Sequence, residues 1–141
     1  MGGSQGALLD TAAIERATGR TGQSIGDIFK VTFPRSDLHV TVDGVAIKPG
    51  LALTGWAAFK SAGVEAVVHG DLALTEAEVN SVVGKLRVEG VEVTAIHNHM
   101  INGTPELYFM HFWAHDTPAR VAAGLKAALD TRGSKPPEMR H

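Results

Sequence analysis

The dipeptide Asp43-Gly44 is the feature that most constrains how this chain can fold. Apolar and polar residues alternate on both sides of it, with Val40 and Val42 before it and Val45 and Ile47 after it. An Asp-Gly pair between two alternating runs favours a type I′ turn, whose two central residues both need a positive φ. The segment therefore predicts two antiparallel strands and places a β-sheet in the first half of the chain.

The hydrophobic pattern changes to a helical period at Thr75. Thr75 and Glu78 fit a capping box, and the apolar residues that follow recur at helical spacing until Gly90. Two further strands are predicted over 91–99 and 107–115, and Pro118 begins a last helix. The same criteria predict a helix over 11–18, strands over 28–32 and 64–68, and an apolar segment, 51–59, that fits a strand or a short helix.

These elements predict an α+β domain, with a mainly antiparallel sheet and helices packed on one face. The front half contains the β-hairpin, and the second half has the order β-α-β-β-α. A length of 141 residues, 44% of them hydrophobic, suits one globular domain. We expect that domain over 10–131, with flexible ends over 1–9 and 132–141. An all-β cupin barrel is the alternative fold, but the helical stretch after Thr75 fits it poorly.

Composition excludes several classes of function. The chain has no cysteine, which rules out disulfides, thiolate metal sites and a cysteine nucleophile. Its net charge of −2 and dispersed basic residues argue against a nucleic-acid partner. No apolar run approaches the roughly 20 residues of a membrane-spanning segment. Neither a phosphate-binding glycine loop nor a Gly-x-Ser-x-Gly elbow is present.

Histidines are concentrated on the two strands of the second hairpin. Four of the seven lie between positions 97 and 115, namely His97, His99, His111 and His115. Alternate residues of a strand share a face, so His97 and His99 point the same way, about 6.5–7 Å apart. A hairpin centred near Thr104 would place His97 opposite His111, with the odd-numbered positions of both strands on one face.

Several imidazoles on one face are typical of a transition-metal site. Neutral imidazole binds Zn²⁺ at about 2.0–2.1 Å, and three protein ligands leave a fourth position open. We predict His97, His99 and His111 as the ligands of a divalent transition metal, with His115 as a fourth or supporting ligand. Zinc is the first choice, and copper and nickel also accept imidazole.

Three functions are compatible with this cluster. The first is a metal-binding protein for sequestration or handling, and the second is a metal-dependent enzyme that activates water or a small substrate. The third is a metal-free module that binds a ligand through its histidines and aromatic residues. Structural or surface histidines are the alternative to all three.

Three other polar residues have no assigned role at this stage. His69 and Asp71 would approach the cluster from a neighbouring strand, although a structural role is favoured for His69. Glu106 lies near the predicted turn and becomes a proton-transfer candidate only if the loop folds back over the site.

Four segments of the chain resemble the LppY/LpqO family of bacterial proteins, over a region from about residue 28 to residue 130. They are residues 51–59, 69–80, 91–99 and 109–115. The family pattern of His-x-His, then Met-His, then a further His matches the four clustered histidines. The resemblance implies a domain of unknown function with no assigned activity, in the bacterial cell envelope or secreted, and a cytoplasmic location is the alternative. Members commonly carry two tandem copies, so the single copy here suggests a symmetric homodimer.

Overall fold

Two antiparallel sheets and three α-helices make up the part of the chain that the computed structural model describes, residues 9–48, 53–98 and 103–133. The strands are β1 (Gly22–Ile25), β2 (Ile28–Pro34), β3 (Val40–Val42), β4 (Val45–Ile47), β5 (Thr54–Ala62), β6 (Glu65–Thr75), β7 (Glu92–Asn98), β8 (Gly103–Thr104) and β9 (Leu107–Asp116). The helices are α1 (Thr11–Thr18), α2 (Glu76–Val88) and α3 (Pro118–Asp130), and a 3₁₀ turn, Thr131–Gly133, follows α3.

The larger sheet has six strands in the order β1-β2-β5-β6-β9-β7. One face packs against the helices, so that Phe59 and Phe112 share a core with Leu86 of α2 and Leu125 of α3. The predicted α+β class, mainly antiparallel with helices on one face, is therefore confirmed. No described helix is long and apolar enough to cross a membrane.

Local signals in the sequence correspond closely to local structure. Asp43 and Gly44 have φ values of 57° and 74°, as a type I′ turn requires. The capping box of α2 is formed by Thr75 and Glu78. Helix α1 begins after Asp10, whose side chain accepts a hydrogen bond from a backbone N–H in the first turn. These elements depend on neighbouring residues only, and their bounds lie within two residues of the predictions.

Longer-range pairing produces the differences from the predicted elements. Strand β1 was not predicted, and it pairs with β2 at an edge of the large sheet. Strand β6 continues to Thr75, beyond the predicted end at residue 68, because β5 and β9 flank it on both sides. Residues 54–62 form a strand, which excludes the helical alternative for that part of segment 51–59.

Arg35 connects the end of β2 to the start of α2. Its side chain is only 1% exposed, and it forms bidentate hydrogen bonds with Glu78 at 2.7 and 2.9 Å and with Asp37 at 3.0 and 2.8 Å. It also donates to the carbonyl oxygen of Ala73 at 2.8 Å. Glu78 in turn accepts from the backbone N–H of Thr75, so one ion cluster fixes the junction between β6 and α2.

The pKa values of this cluster follow from those contacts. Hydrogen bonds from Arg35 lower the pKa of Asp37. Burial acts to raise the pKa of Glu78, but the bonds from Arg35 and the backbone of Thr75 outweigh it, and the net shift is downward. Burial likewise opposes the charge of Arg35, yet its two carboxylate partners raise its pKa above the ordinary value.

The large sheet has a second face that no described helix covers, called here the helix-free face. The smaller sheet has the order β4-β3-β8 and packs at one end of that face. Strand β8 pairs with β3 at Thr41 and Thr104, which joins the front hairpin to the second one. Val40, Leu53 and Leu107 form a separate small core. Leu107 lies on the same face of β9 as His111, so this small core packs against that face at the start of β9.

Candidate functional site

A β-bulge at Thr94 brings His97 onto the same face as His111. The register between β7 and β9 shifts by one residue between positions 93 and 95. If the register before the bulge continued, His97 would lie opposite Tyr108, on the helix-covered face. With the bulge, His97 lies opposite Phe109 and shares the helix-free face with His111.

The predicted alignment of His97 with His111 is wrong by two residues. His97 pairs with Phe109, and His111 pairs with Ala95. The hairpin is therefore centred near residue 103 instead of Thr104. Because the face of a strand residue depends on odd or even position, a shift of two residues leaves both imidazoles on one side of the sheet.

The two imidazole rings are in direct contact across the strands. The Nε2 atoms of His97 and His111 lie 2.8 Å apart, and the ring centroids are 5.0 Å apart. Nδ1 of His97 lies 2.9 Å from the backbone carbonyl oxygen of Asn98. Nδ1 of His111 lies 2.6 Å from Oδ1 of Asp71. Each ring thus faces an oxygen acceptor on one side and the other ring on the opposite side.

Asp71 approaches the pair from β6, where it lies opposite His111 in the register. The residue is 8% exposed, and Oδ1 has no aligned hydrogen-bond donor among the described residues although Nδ1 of His111 is close. Burial raises the pKa of Asp71, against the opposing effect of nearby His111, His97 and His69. Holding the Asp71 carboxylate beside the imidazole therefore costs free energy, because the charged group loses part of its hydration.

Gly70 lets the strands approach one another beneath Asp71. A Cβ atom at this position would overlap the carbonyl oxygen of Trp56 and the ring of Phe112. A larger residue at position 70 would therefore push β5 away from β6, next to the carboxylate that faces His111.

His69 belongs to an aromatic group beside the pair. Its ring lies edge-on to Trp56 at 4.9 Å, and it is opposite Trp113 in the register. The ammonium group of Lys30 lies 5.0 Å from the centre of the Trp56 ring. Trp113 is 43% exposed, so this part of the helix-free face is open to solvent. His69 contacts neither ring of the His97–His111 pair.

The structure does not bring His115 to the pair. It lies on the same face of β9 as His111 but four residues further along, about 13 Å at the usual rise of a strand. Its Nε2 atom is 3.1 Å from Glu65, and both side chains are about half exposed. A single ion cannot be bound by His111 and His115 together at this separation, so the fourth-ligand role expected for His115 is not supported by its position.

Two of the residues singled out in the sequence remain, Glu106 and His99. Glu106 accepts a hydrogen bond from the side chain of Asn98 and contacts neither imidazole. His99 lies outside the described residues. Within residues 9–48, 53–98 and 103–133, no group of three or more His, Asp or Glu side chains has the arrangement of a complete metal site. The described residues supply two imidazoles and a carboxylate that faces one of them.

Sequence reasoning did not identify the two acceptors that face the imidazoles. Asp71 was left without a role, and the backbone carbonyl of Asn98 was not considered. The alternation of His69 and Asp71 along one strand was the available signal, because it places both on one face. It became informative only once β6 was known to lie beside β9.

Comparison with known proteins identifies the family and nothing more specific. No curated protein and no solved structure matched the chain. The sequence model of a domain of unknown function, DUF1259, matches residues 12–131. Since that match covers most of the chain, the protein belongs to the DUF1259 family of domains of unknown function.

Proposed function

We propose that this domain binds a divalent transition-metal ion between the Nε2 atoms of His97 and His111. The observation that carries the proposal is the 2.8 Å separation of these two atoms, with both Nδ1 atoms facing oxygen acceptors. His99, the third ligand expected from the sequence, completes the proposed ligand set.

The protonation of the rings explains why a cation belongs between them. A neutral imidazole has one N–H group and one nitrogen lone pair. Nδ1 of His97 faces a carbonyl oxygen, which only accepts, so Nδ1 carries the proton there. The Asp71 carboxylate favours the same tautomer in His111. Both Nε2 atoms then present lone pairs to each other, and they repel unless a proton or a metal ion lies between them.

The neighbouring groups are those that support metal-bound histidines. A ligating histidine usually donates its second N–H to a carboxylate or a backbone carbonyl. Here Nδ1 of His111 faces the carboxylate of Asp71 at 2.6 Å, and Nδ1 of His97 faces the carbonyl oxygen of Asn98 at 2.9 Å. Two nitrogens bound tetrahedrally to Zn²⁺ lie roughly 3.3 Å apart, so the rings need to separate by only about 0.5 Å.

Exposure favours metal handling over a structural ion. His97 is exposed and the side chain of His111 is 35% exposed, whereas structural zinc sites are closed by four protein ligands. A metal ion bound at this position is accessible to solvent and can be released into solution. The same openness leaves room for a coordinated water, which is the feature that the enzyme alternative requires.

Calorimetry on a tag-free chain stripped with EDTA tests the proposal. We expect one Zn²⁺, Cu²⁺ or Ni²⁺ to bind per chain. His97→Ala and His111→Ala should each weaken binding by about 100-fold or more, beyond the 10–100-fold typical of lost supporting contacts. His115→Ala is the matched control and should bind as the wild type does.

Two results would contradict the metal site. One is the absence of stoichiometric binding by the wild-type chain, and the other is unchanged affinity in the His97→Ala/His111→Ala double variant with the fold intact by circular dichroism. A histidine pair that binds no metal but shares a proton across the 2.8 Å gap would support the metal-free alternative.

The finer family assignment and the oligomeric state are part of the same proposal. The His-x-His, Met-His and His pattern supports placing this DUF1259 protein with the LppY/LpqO proteins. A symmetric homodimer remains the prediction for a single-copy chain. Light scattering measures it directly, and the mass of one chain at all concentrations would contradict it.

A further inference from the structure

We infer that Asn98 and Glu106 are positioning residues that orient His97, an inference that rests on the metal site proposed above. Nδ1 of His97 lies 2.9 Å from the backbone carbonyl oxygen of Asn98. The side-chain amide of the same Asn98 donates to Oε2 of Glu106. A continuous series of contacts therefore runs from Asp71 through both imidazoles to Glu106.

The two histidines differ in how firmly their strands hold them. His111 lies within β9, which is paired on both sides by β6 and β7. His97 lies in β7, an edge strand, and Asn98 forms the last described pair of the ladder with Tyr108. The carbonyl that faces His97 therefore belongs to a strand that is paired on one side only in the described sheet, where the backbone is less restrained than in β9.

Glu106 supplies a restraint that the unpaired side of this edge strand lacks. It lies on the other side of the turn, immediately before β9, and its contact with Asn98 crosses the hairpin. A carboxylate acceptor makes this a charge-assisted hydrogen bond, which is stronger than a bond between neutral groups. Holding the Asn98 side chain limits rotation of that residue and keeps its carbonyl oxygen aimed at Nδ1 of His97.

This arrangement gives Glu106 a role different from proton transfer. Its carboxylate contacts an amide and neither imidazole nitrogen. Asp71 acts directly on His111, whereas Glu106 acts on His97 through the peptide group of Asn98. Both effects favour the tautomer that leaves Nε2 free to bind a metal.

Nitrogen-15 NMR of the metal-free chain tests the inference, because it reports the tautomer of each histidine. Glu106→Ala should convert His97 from a single Nδ1–H tautomer to a mixture, and His111 should not change. Zn²⁺ affinity should fall about tenfold, the lower end of the usual range for supporting contacts, because both groups are exposed. Glu106→Gln keeps an acceptor oxygen and should restore both readouts.

Glu65→Ala is the matched control, since Glu65 contacts His115 and no other described histidine. It should leave both His97 and Zn²⁺ affinity unchanged. An unchanged His97 tautomer in Glu106→Ala would overturn the positioning role even if the wild type binds metal. Failure of the wild type to bind Zn²⁺ would instead contradict the proposed function, and the tautomer measured without metal would still decide the role of Glu106.

Discussion

The Arg35 cluster and the His97–His111 pair both bring acidic and basic side chains together, but they differ in how completely the polar atoms are hydrogen-bonded. Arg35 donates five hydrogen bonds to Asp37, Glu78 and a backbone carbonyl, which uses all five N–H groups of a guanidinium. In the pair, Oδ1 of Asp71 has no aligned donor among the described residues and two imidazole nitrogens face each other. The first arrangement gives every N–H group of the guanidinium an acceptor, and the second leaves a buried carboxylate oxygen without an aligned donor in the described part of the chain.

This difference favours a structural role for the Arg35 cluster and supports the binding role that we propose for the pair. A buried charge whose partners are all satisfied fixes the position of the elements that carry them, here β2, β6 and α2. Buried polar groups are rarely left unsatisfied in folded proteins, and the exceptions call for an explanation such as a binding role. We therefore expect substitutions in the cluster to change stability and substitutions in the pair to change metal affinity.

The largest expected effect is that of Arg35→Ala on stability. The substitution leaves Glu78 and the carbonyl of Ala73 without their buried donor, and removal of one partner of a buried ion pair costs about 3–5 kcal/mol. Urea denaturation measures this change. Arg87→Ala, at an exposed arginine on α2, should stay within about 0.5 kcal/mol of the wild type. A loss below about 1 kcal/mol in Arg35→Ala would show that the cluster does not hold the fold.

Low pH should reduce the stabilisation by the Arg35 cluster, but by less than the Arg35→Ala substitution does. Both Asp37 and Glu78 have folded-state pKa values below the ordinary values of 3.8 and 4.5 for these side chains. A carboxyl with a lowered pKa adds stability that is present above its unfolded pKa and is lost as the pH falls through its folded pKa. The free energy of unfolding should therefore decline below about pH 4.5 in the wild type. Arg35→Met removes the largest of the effects that lower these two pKa values and should flatten this decline. An equal decline in both proteins would contradict the assignment.

Asp71→Asn should separate binding from stability. It keeps an oxygen near His111 but removes a buried charge, so the metal-free chain should be as stable as the wild type or gain up to about 1 kcal/mol. Zn²⁺ affinity should fall by about 10–100-fold, as is usual when a supporting carboxylate is lost. Denaturation and calorimetry on one preparation measure both. A destabilisation as large as that of Arg35→Ala would instead assign Asp71 to the fold.

How far the sequence predicts each region depends on the range of the interactions. The Asp43-Gly44 turn and the Thr75 capping box depend on residues within one turn or hairpin, and both were predicted. The buried position of Arg35 was not predicted. Its partners lie 38 and 43 positions away in the sequence, so no local pattern indicates that this charged residue is buried.

The range of the interactions also explains why only the contact between the two imidazoles of the candidate site was predicted. Strand alternation indicated that His97 and His111 meet, and that alternation survived an error of two residues in the register. The bulge at Thr94 arises from pairing between strands, so local residues do not reveal it. The contact with Asp71 depends on β9 lying between β6 and β7 in the sheet, an order that the order of the strands in the sequence does not specify.

The smallest effect is expected at His115, which sequence pattern groups with the site and the structure places elsewhere. Its contact with Glu65 joins two half-exposed side chains, and such surface pairs contribute about 0–1 kcal/mol. His115→Ala should therefore change stability by less than about 1 kcal/mol and leave Zn²⁺ affinity unchanged. A tenfold loss of affinity would mean that His115 reaches the ion despite a separation of four strand residues from His111, which requires β9 to bend or a second chain to supply the ligand. Repeating the titration at several protein concentrations distinguishes these two explanations, since only ligation between chains depends on concentration.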